Sequence, residues 1–342
     1  MPKIEPQFII PFAKPSGITS FTSLWQVKHT LGTKKVGHTG TLDSFADGLL
    51  VLLSGKLTKL VPYITDFDKT YRVLFYFGKE TDTLDPEGTV ITEKPLPVYA
   101  DFVAAIKQLI GTIEQVPPVY SAVKQAGERL SDRVRRGETV TVPPRTVTIY
   151  NIDIEEIFYA PEVDTDAEKS EIGAAQKVLG AVLCVRCSKG TYIRSLVRDI
   201  AHRCGSAAYV YALRRTAVGP FTLEQAAGFS SLQPFGSAAA STEGAPYSVT
   251  EEEVKRAALP LNEEIAGAMH FQIAVLQEKY YAAFMNGKPI DGYWFTGTQP
   301  LLDSGTIAVF YEKRCVGLII KNGNRFHYQI VFNRDTVNAS DA

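Results

Sequence analysis

Two carboxylates in a glycine-rich stretch are the first candidates for chemistry. Residues 35–50 read KVGHTGTLDSFADGLL, in which Asp43 and Asp47 lie among three glycines. Glycine permits tight turns and lets another molecule approach the backbone closely. The stretch does not have the GxxxxGK[ST] spacing of a phosphate-binding loop. Asp43 is therefore either the cap of a following helix or a catalytic carboxylate, and this stretch alone does not decide between them.

A short basic segment is a second candidate, for binding rather than catalysis. Residues 124–145 (KQAGERLSDRVRRGETVTVPPR) hold six basic and three acidic residues, with Lys124, Arg133, Arg135 and Arg136 among the cations. Its glycines and prolines predict a loop or an arm. The whole chain has a formal net charge of −1, so nucleic-acid binding would have to use local patches. Composition alone favours a solvated surface loop over an RNA-binding arm.

The CxxC pair of Cys184 and Cys187 has the wrong context for a metal site. It lies in GAVLCVRCSKGTY, which reads as a buried strand, where residues three apart point to opposite faces. Tetrahedral zinc sites need a second pair of ligands, and the other two cysteines, Cys204 and Cys315, are isolated. We therefore predict no metal site, and the low cysteine count agrees with a reducing compartment.

The elements that must position these residues are predicted to be a mixture of strands and helices. β-branched and aromatic residues predict strands over residues 70–81, 146–159 and 178–187. The helical spacing of apolar residues predicts helices over residues 100–113 and 190–205, the second ending at Gly205. Because strands and helices do not alternate regularly, the sequence predicts an α+β fold.

The length of 342 residues and a change in composition predict about two domains. Residues 229–269 begin with a small, polar stretch and read as a connecting segment, and alternating apolar residues over 270–335 predict a small β-rich domain. Residues 160–177 read as an acidic, exposed insertion. The N-terminus has no apolar run long enough for a signal peptide or a spanning helix, so we expect a cytoplasmic protein without membrane contact.

Six short motifs in one order along the chain carry a resemblance. They are AKPSGITS (13–20), GHTGTLD (37–43), KTYRV (69–73), YSAVK (120–124), SKGTYIR (188–194) and LRRTAVGPF (213–221). Together they resemble the TruB family of tRNA pseudouridine synthases. The resemblance implies an isomerase without a cofactor that acts on a T-loop uridine of tRNA, position 55 in the family. It also implies a mixed, mainly antiparallel central sheet with flanking helices over residues 1–228, the pseudouridine synthase fold, followed by a PUA-like domain.

The resemblance assigns three residues to the catalytic site. Asp43 is implied to be the catalytic carboxylate, and whether it attacks the ribose, attacks the base or removes a sugar proton stays open. Arg194 is implied to be its partner, and a positive charge within a few ångströms favours the ionised form of a carboxylate. Tyr71 is implied to stack on the target base, an interaction worth roughly 1–3 kcal/mol, and to assist loss of the proton from carbon 5.

Other residues are implied to bind the substrate. His38 would approach the T-loop, where its flat ring can fill the stack left by a flipped base. Tyr192 and Leu213 would line the base pocket, and Lys14 would either support the catalytic loop or reach a phosphate. The basic segment falls where the family carries an arm that closes over RNA. For residues 124–145 the resemblance therefore favours tRNA binding over a solvated surface loop. We expect a monomer, because the sequence has no dimerisation signal.

Three residues depart from the family pattern. Ser44 replaces a common proline, which removes one rigid φ angle from the loop. Asp47 replaces a hydroxyl residue, and in a helical turn it would lie on the same face as Asp43, roughly 5–6 Å away between β carbons, and repel it. We expect Asp47 to point to solvent instead. In the basic arm, Ser131 replaces an aromatic residue.

Two other function classes are compatible with parts of the sequence. A non-catalytic RNA chaperone would use the same surface, but it would not need Asp43, Tyr71 and Arg194 together. A glycoside hydrolase would use Asp43 and Asp47 as its carboxylate pair, which requires roughly 5–10 Å between carboxyl groups. That alternative leaves the basic arm unexplained, and we favour the pseudouridine synthase.

Overall fold

The computed structural model describes residues 6–121, 124–125, 128–129, 133, 136, 138, 140–161, 175–237, 248–296 and 301–332. The strands are β1 (Ile9–Lys14), β2 (Val36–His38), β3 (Asp47–Ser54), β4 (Lys69–Phe77), β5 (Lys79–Thr81), β6 (Val90–Glu93), β7 (Gly111–Gln115), β8 (Lys124–Gln125), β9 (Glu128–Arg129), β10 (Arg145–Tyr159), β11 (Val178–Cys187), β12 (Ala208–Val218), β13 (Phe221–Thr222), β14 (Gln272–Leu276), β15 (Phe295–Thr296), β16 (Thr306–Tyr311), β17 (Arg314–Asn322) and β18 (Arg325–Val331). The α-helices are α1 (Leu24–Thr30), α2 (Val61–Thr65), α3 (Tyr99–Leu109), α4 (Ile193–Arg203), α5 (Glu251–Ala257), α6 (Glu263–Ala268) and α7 (Glu278–Met285).

A nine-stranded sheet organises the larger part of the protein. Its order is β1-β3-β12-β4-β11-β10-β7, with β2 paired to β3 and β13 paired to β12. Its strand pairs are antiparallel except β3 and β12, which run parallel where Arg214 faces Asp47. The strands predicted over 70–81, 146–159 and 178–187 are confirmed as β4 with β5, β10 and β11. The predicted mixed, mainly antiparallel sheet is thereby confirmed.

Helix α4 packs on one face of this sheet. Its apolar stripe is buried in the same cluster as Phe75 and Val185 of β4 and β11, and consists of Leu196, Val197 and Ile200. The helix ends at Arg203, and Gly205 adopts φ +68°, as the C-terminal glycine predicted. Because Arg194 is the second residue of α4, the packing of this helix also fixes the position of Arg194.

Helix α3 ends earlier than predicted. It stops at Leu109 rather than at residue 113, because Gly111 adopts φ +108° and begins β7. Strand β7 then pairs with β10, with Gly111 opposite Ile149. A positive φ angle is accessible to glycine at little cost, so this residue turns the chain from helix to strand although the apolar spacing continues.

The C-terminal sheet has five strands, in the order β15-β14-β16-β17-β18. It shares a hydrophobic core with the nine-stranded sheet, in which Phe271, Phe310 and Leu318 are buried together with Leu49 and Leu53 of β3. The β-rich character predicted for this part of the chain is confirmed. Residues 297–300 and 333–335 of the predicted domain lie outside the described residues.

The predicted connecting segment, residues 229–269, contains the two capped helices α5 and α6. Thr250 and Asn262 each accept a hydrogen bond from a first-turn N–H group, at 3.1 Å and 2.8 Å. Between the helices, Leu259 exchanges two backbone hydrogen bonds with Ile9 of β1, each 2.8 Å long. Residues 238–247, and residues 162–174 of the acidic insertion, lie outside the described residues. No helix in the described ranges is long and apolar enough to span a membrane.

Candidate active site

The loop between β2 and β3, residues 39–46, is held by the segment that follows β1. The Ser20 Oγ accepts a hydrogen bond from the N–H of Leu42 at 2.9 Å and donates to its carbonyl oxygen at 3.1 Å. The N–H of Gly17 donates to the carbonyl oxygen of Ser44 at 2.8 Å. These contacts fix the residues on both sides of Asp43, and so they fix Asp43 itself.

Lys14, at the end of β1, supports this loop from the interior. The residue is fully buried, and its Nζ donates to the carbonyl oxygens of Pro15 and Ile18, both at 2.8 Å, and of Ser44 at 3.3 Å. Burial lowers the pKa of Lys14 to about 8, against the opposing charges of nearby aspartates. Of the two alternatives for Lys14, this geometry agrees with loop support rather than phosphate contact.

Arg194 faces both carboxylate oxygens of Asp43. Its Nη2 donates to Oδ1 at 3.1 Å, and its Nε lies 2.9 Å from Oδ2, an ion-pair distance outside hydrogen-bond geometry. The side chain of Arg194 is 4% exposed, whereas that of Asp43 is 37% exposed. The pair therefore joins a buried cation to a carboxylate that reaches the solvent. The predicted contact between these two residues is present, and their relative exposure was not predicted.

A second carboxylate, on Asp85, binds the same guanidinium. The Nη1 of Arg194 donates to Asp85 Oδ2 at 2.9 Å and to the carbonyl oxygen of Thr83 at 2.8 Å, and Nη2 donates to that of Tyr120 at 3.0 Å. Asp85 is buried and also accepts hydrogen bonds from Thr83 Oγ1 and from the N–H of Glu87. Burial raises the pKa of Asp85, while the Thr83 hydroxyl and Arg194 oppose that shift.

Asp43 and Arg194 line a cleft of about 600 Å³, a size typical of small-molecule sites. The predicted residues Tyr71, Tyr192 and Leu213 line the same cleft. Tyr192 directly precedes α4, and its N–H donates to the side-chain oxygen of Gln115 at 2.8 Å. The fold therefore brings five of the predicted residues together from four distant segments of the chain.

Arg215 also lines the cleft and was not predicted. It is buried, and it donates to the carbonyl oxygens of Leu49 at 2.8 Å and Gly40 at 3.2 Å. Burial raises the pKa of Tyr71, and the positive charge of Arg215 only partly opposes this. The Tyr71 phenol is therefore neutral at neutral pH. Leu213 and Arg215 share a face of β12 because side chains alternate along a strand.

Asp47 differs from both expectations, since it neither forms a helical turn with Asp43 nor points to solvent. It begins β3, and Arg214 on the neighbouring strand donates Nε to Oδ1 at 2.8 Å and Nη2 to Oδ2 at 2.6 Å. Its side chain is 16% exposed. With both oxygens bound to Arg214, Asp47 is not a free carboxylate that could pair with Asp43 in glycoside hydrolysis.

Ser44, which stands where the family commonly has proline, makes a side-chain contact that proline cannot make. Its Oγ lies 2.7 Å and 3.0 Å from the two carboxylate oxygens of Glu87. Glu87 follows Asp85 by two residues in the loop that binds Arg194. The hydrogen bond therefore ties the loop that carries Asp43 to the loop that holds its arginine.

His38 lies in β2 and is not among the residues that line the cleft. Burial lowers its pKa, and the charge of Arg215 adds to the shift, so the ring is neutral at neutral pH. Its buried Nδ1 has no hydrogen-bond partner among the described residues. The contact of His38 with RNA stays a prediction.

The basic arm is described only in part. Lys124 lies in β8, which pairs with β9, but its side chain is outside the described part of the chain, as are Arg135 and Ser131. Arg133 and Arg136 both bind Glu138, at 2.7 Å and 2.8 Å. These two hydrogen bonds lower the pKa of the Glu138 carboxyl. The positive charge of the arm is therefore partly compensated locally, and its contact with tRNA stays a prediction.

Comparison with known proteins agrees with this geometry. Residues 28–193 match the family described as TruB family pseudouridylate synthase, N-terminal domain. The chain is 40% identical over 361 residues to tRNA pseudouridine synthase B of Treponema pallidum subsp. pallidum, covering 96% of this chain and 98% of that protein. The chain belongs to the TruB family of pseudouridylate synthases. The resemblance inferred from the six motifs is thereby confirmed.

Other relatives of this TruB-family chain give the same result. It is 41% identical over 353 residues to tRNA pseudouridine synthase B of Treponema denticola, covering 96% of the chain and 99% of that protein. It is 39% identical over 283 residues to tRNA pseudouridine synthase B of Pseudomonas fluorescens strain Pf0-1, covering 82% of each. The similarity to the Treponema proteins therefore includes the C-terminal part as well as the motif-bearing region.

Solved structures share the fold at lower sequence identity. A chain of an H/ACA RNP bound to a substrate RNA containing 2′-deoxyuridine superposes with a TM-score of 0.59 and 21% identity, covering 96% of the TruB-family chain and 86% of that chain. A chain of a Cbf5–Nop10–Gar1 complex gives the same TM-score and identity, with 95% and 85% coverage. The predicted α+β pseudouridine synthase fold with a PUA-like C-terminal domain is confirmed. Within the described ranges, no cluster of histidine, cysteine or acidic residues is arranged to hold a metal ion.

Two residues of this TruB-family site, Asp85 and Arg215, were missed in the sequence. The tripeptide TLD occurs at residues 41–43 and again at 83–85, and both aspartates bind Arg194. This repetition was the available signal for Asp85. Arg215 lies two residues after Leu213 within LRRTAVGPF, so the period of a strand could have placed it on the same face.

Proposed function

We propose that the protein converts the uridine at position 55 in the T-loop of tRNA to pseudouridine. The observation that carries this proposal is the pairing of Asp43, exposed in the cleft, with the buried Arg194. The relatives named tRNA pseudouridine synthase B support tRNA as the substrate. In this reaction the bond from ribose C1′ to N1 of uracil breaks and a bond from C1′ to C5 forms. The proton on C5 is lost, and N1 gains one.

Asp43 acts on the flipped nucleotide as an ionised carboxylate. The negative charge of Asp43 has to face the cleft in each of the three possible first steps, which are attack on the ribose, attack on the base and removal of a sugar proton. Arg194 stabilises the charge through its paired contacts. The hydrogen bonds from Arg194 to Asp85, Thr83 and Tyr120 hold the guanidinium so that it does not turn away when the nucleotide enters.

Tyr71 and Leu213 hold the base in the cleft, with Tyr192 at its edge. An aromatic ring stacks on any base with roughly 1–3 kcal/mol, enough to offset part of the cost of extracting a base from folded RNA. The neutral Tyr71 hydroxyl lies near the positive charge of Arg215, which stabilises the tyrosinate formed when the hydroxyl gives its proton to water. The tyrosinate oxygen then takes the proton from C5, and N1 takes a proton from water. His38 contacts the T-loop from β2, and Lys14 keeps the Asp43 loop in place from the interior.

The setting of the reaction is the cytoplasm, with a monomer binding one tRNA at a time. Residues 1–228 form the catalytic domain and residues 270–335 the PUA-like domain, joined by residues 229–269. Lys124, Arg133, Arg135 and Arg136 of the basic arm approach the tRNA backbone. Phosphate contacts of this kind position RNA without reading its sequence.

Tritium release tests the proposal directly. The protein is mixed with an unmodified tRNA transcript that carries 5-tritiated uridine, and tritium set free in the water is counted. A transcript with cytidine at T-loop position 55 is the matched control. We expect release of one tritium per tRNA from the first transcript and none from position 55 of the second. Equal release from both would place the reaction at another uridine, and tight tRNA binding without any release would replace the isomerase by a chaperone.

A further inference from the structure

Two aromatic side chains outside the cleft are unusually exposed. Phe21 is 71% exposed and Trp25 is 66% exposed, the highest values among the large hydrophobic side chains of the described residues. Phe21 lies three residues before the start of α1, and Trp25 is the second residue of that helix. The opposite side of α1 is anchored by the buried Leu24 and Val27. The helix therefore holds the two rings on the surface by packing its other face.

Each of the two rings is partnered on one side by a basic side chain. The Nζ of Lys28 lies 5.3 Å from the centroid of the Phe21 ring, and the ring of His29 stacks on Trp25 at 5.4 Å with an interplanar angle of 6°. A cation over an aromatic face is attracted by the ring quadrupole. The pattern is thus two exposed rings interleaved with two cation-capable groups, which is the chemistry that binds single-stranded nucleic acid.

The charge of the surrounding segment agrees with a polyanionic partner. Residues 15–42 contain three lysines, Lys28, Lys34 and Lys35, and no aspartate or glutamate, although the chain as a whole has a net charge of −1. Helix α5, whose first turn holds Glu251, Glu252 and Glu253, approaches α1 beside Gln26, whose Nε2 donates to the carbonyl oxygen of Val249 at 2.9 Å. Gln26 lies about 100° around the helix from Trp25. The acidic turn therefore meets a different flank of α1.

The same segment borders the active site. Ser20, which directly precedes Phe21, is hydrogen-bonded in both directions to Leu42, the residue before Asp43. Consecutive Cα atoms are about 3.8 Å apart, so the backbone of Phe21 lies within one residue of the segment that holds the catalytic loop. Phe21 is therefore near the loop that carries Asp43, without lining the cleft itself.

We propose that Phe21 and Trp25 form a stacking ledge for unpaired bases of the RNA next to the target nucleotide, with Lys28 and His29 facing its backbone. The ledge rests on the proposed function, because it takes the RNA substrate as its ligand. It lies outside the residues that line the cleft, so it adds affinity for the RNA without touching the reacting atoms. A nucleic acid fits better than an apolar protein surface because basic side chains cover one side of each ring.

The ledge is tested by fluorescence without any need for catalysis. Trp25 and Trp294 are the only tryptophans of the chain, and Trp294 is buried. The tRNA transcript is titrated into the wild type and into Trp25→Leu, with acrylamide quenching measured at each step. We expect tRNA to change the emission and to protect it from acrylamide in the wild type only. The same response in Trp25→Leu would overturn the proposal.

Affinity measurements separate stacking from general hydrophobic contact. Phe21→Leu and Trp25→Leu should each weaken tRNA binding roughly five- to tenfold, whereas Phe21→Tyr and Trp25→Tyr, which keep a flat ring, should stay within about twofold. Tyr159→Leu is the matched control, because this exposed ring lies at the far end of β10, about 45 Å along the strand from Arg145 in the cleft. Wild-type affinity in both leucine variants would overturn the proposal.

Two further outcomes are distinguishable. If the wild type shows the Trp25 response to tRNA but no tritium release, the proposed reaction fails while the ledge stands. If sedimentation shows that the wild type self-associates and that Trp25→Leu abolishes this without changing tRNA affinity, the surface is an interface between copies of the chain and the ledge is wrong.

Discussion

Asp43 and Asp47 are four residues apart and each binds an arginine, but the two pairs are built differently. Arg194 is buried, has partners on three other residues and leaves Asp43 37% exposed in the cleft. Arg214 binds both carboxylate oxygens of Asp47 from the neighbouring strand, and the Asp47 side chain is 16% exposed. The first pair leaves a carboxylate exposed in the cleft, whereas the second pair links the neighbouring strands β3 and β12.

The backbone explains this difference. Asp47 is the first residue of β3, where the parallel register places it opposite Arg214 of β12, so pairing follows from the sheet itself. Asp43 lies in a loop that is held by hydrogen bonds to its neighbours Leu42 and Ser44. Its partner Arg194 belongs to helix α4. An exposed, oriented carboxylate therefore needs a separately supported cation, and Asp85 belongs to that support.

The largest effect should come from Asp43→Asn. This change keeps the shape of the side chain and removes its charge, so we expect no detectable tritium release under single-turnover conditions. RNA affinity should stay within a few fold, because the amide still fills its place in the cleft. Asp47→Asn is the matched control. Full activity of Asp43→Asn would show that Asp43 does not have its proposed role. The Asp43 pair would then be no more important for the reaction than the Asp47 pair.

Asp85→Asn should mainly affect stability. Removing one carboxylate of a buried ion pair leaves the guanidinium of Arg194 undercompensated, at a cost of about 3–5 kcal/mol in the free energy of unfolding. Denaturant titration measures this cost, and tritium release should fall less than in Asp43→Asn. Asp82→Asn, whose carboxylate accepts a hydrogen bond from the N–H of Thr89 in an exposed turn, is the control. If both variants are equally stable, Asp85 does not support Arg194.

Lys14→Met should change how stability depends on pH. In the folded protein Lys14 loses its proton near pH 8, whereas in the unfolded chain it keeps it up to about 10.5. Between these values the unfolded chain binds more protons, so the wild type gains stability as pH rises. From about pH 7.5 to about pH 9.5, unfolding titrations should show the wild type gaining on the order of 2 kcal/mol relative to Lys14→Met. Lys69, whose pKa is also lowered by burial, is present in both proteins and does not enter the difference.

Asp47→Asn should lower the free energy of unfolding by about 1–2 kcal/mol, through loss of charge-assisted hydrogen bonds to Arg214. The single-turnover rate of tritium release should stay within about threefold of the wild type, since Asp47 binds Arg214 and not Arg194. A collapse of the rate with unchanged stability would instead make Asp47 part of the chemistry.

Ser44→Ala should have the smallest effect. It removes the hydrogen bond to Glu87, which is exposed, so stability should change by less than about 0.5 kcal/mol. The single-turnover rate should fall about two- to threefold, because the Asp43 loop loses one tie to the loop that holds Arg194. Glu87→Gln keeps an acceptor for the hydroxyl and should lose less. An equal rate in Ser44→Ala and the wild type would show that backbone contacts alone position Asp43.

The sequence predicts most of the scaffold for a physical reason. Residues 146–159 and 178–187 are rich in β-branched and aromatic side chains, and both became strands of the central sheet. The apolar stripe of residues 193–203 predicts α4 in the same way. The boundary at Gly111 was missed because a positive φ angle is a property of the backbone and leaves no mark on apolar spacing.

That Asp43, Tyr71 and Arg194 lie in one cleft was predictable, because residue type and motif coincide at these positions, whereas their roles stay a prediction. The partner of Asp47 was not predictable, because it depends on which of two adjacent arginines, Arg214 or Arg215, lies opposite Asp47 in the pairing of β12 with β3. That choice follows from the register of a strand pair 167 residues apart in the chain. Local patterns do not contain the register of distant strands, so the expectation that Asp47 points to solvent was wrong.

The core shared by the two sheets limits how this protein can evolve. Phe271, Phe310 and Leu318 are buried against the strand that follows the Asp43 loop, so a gene fragment lacking the C-terminal sheet would leave that strand with an uncovered apolar face. Recombination that swaps C-terminal domains between genes would have to restore complementary side chains on both sheets of this shared core. We therefore expect the two parts to be inherited together, with their contact residues changing in a correlated way.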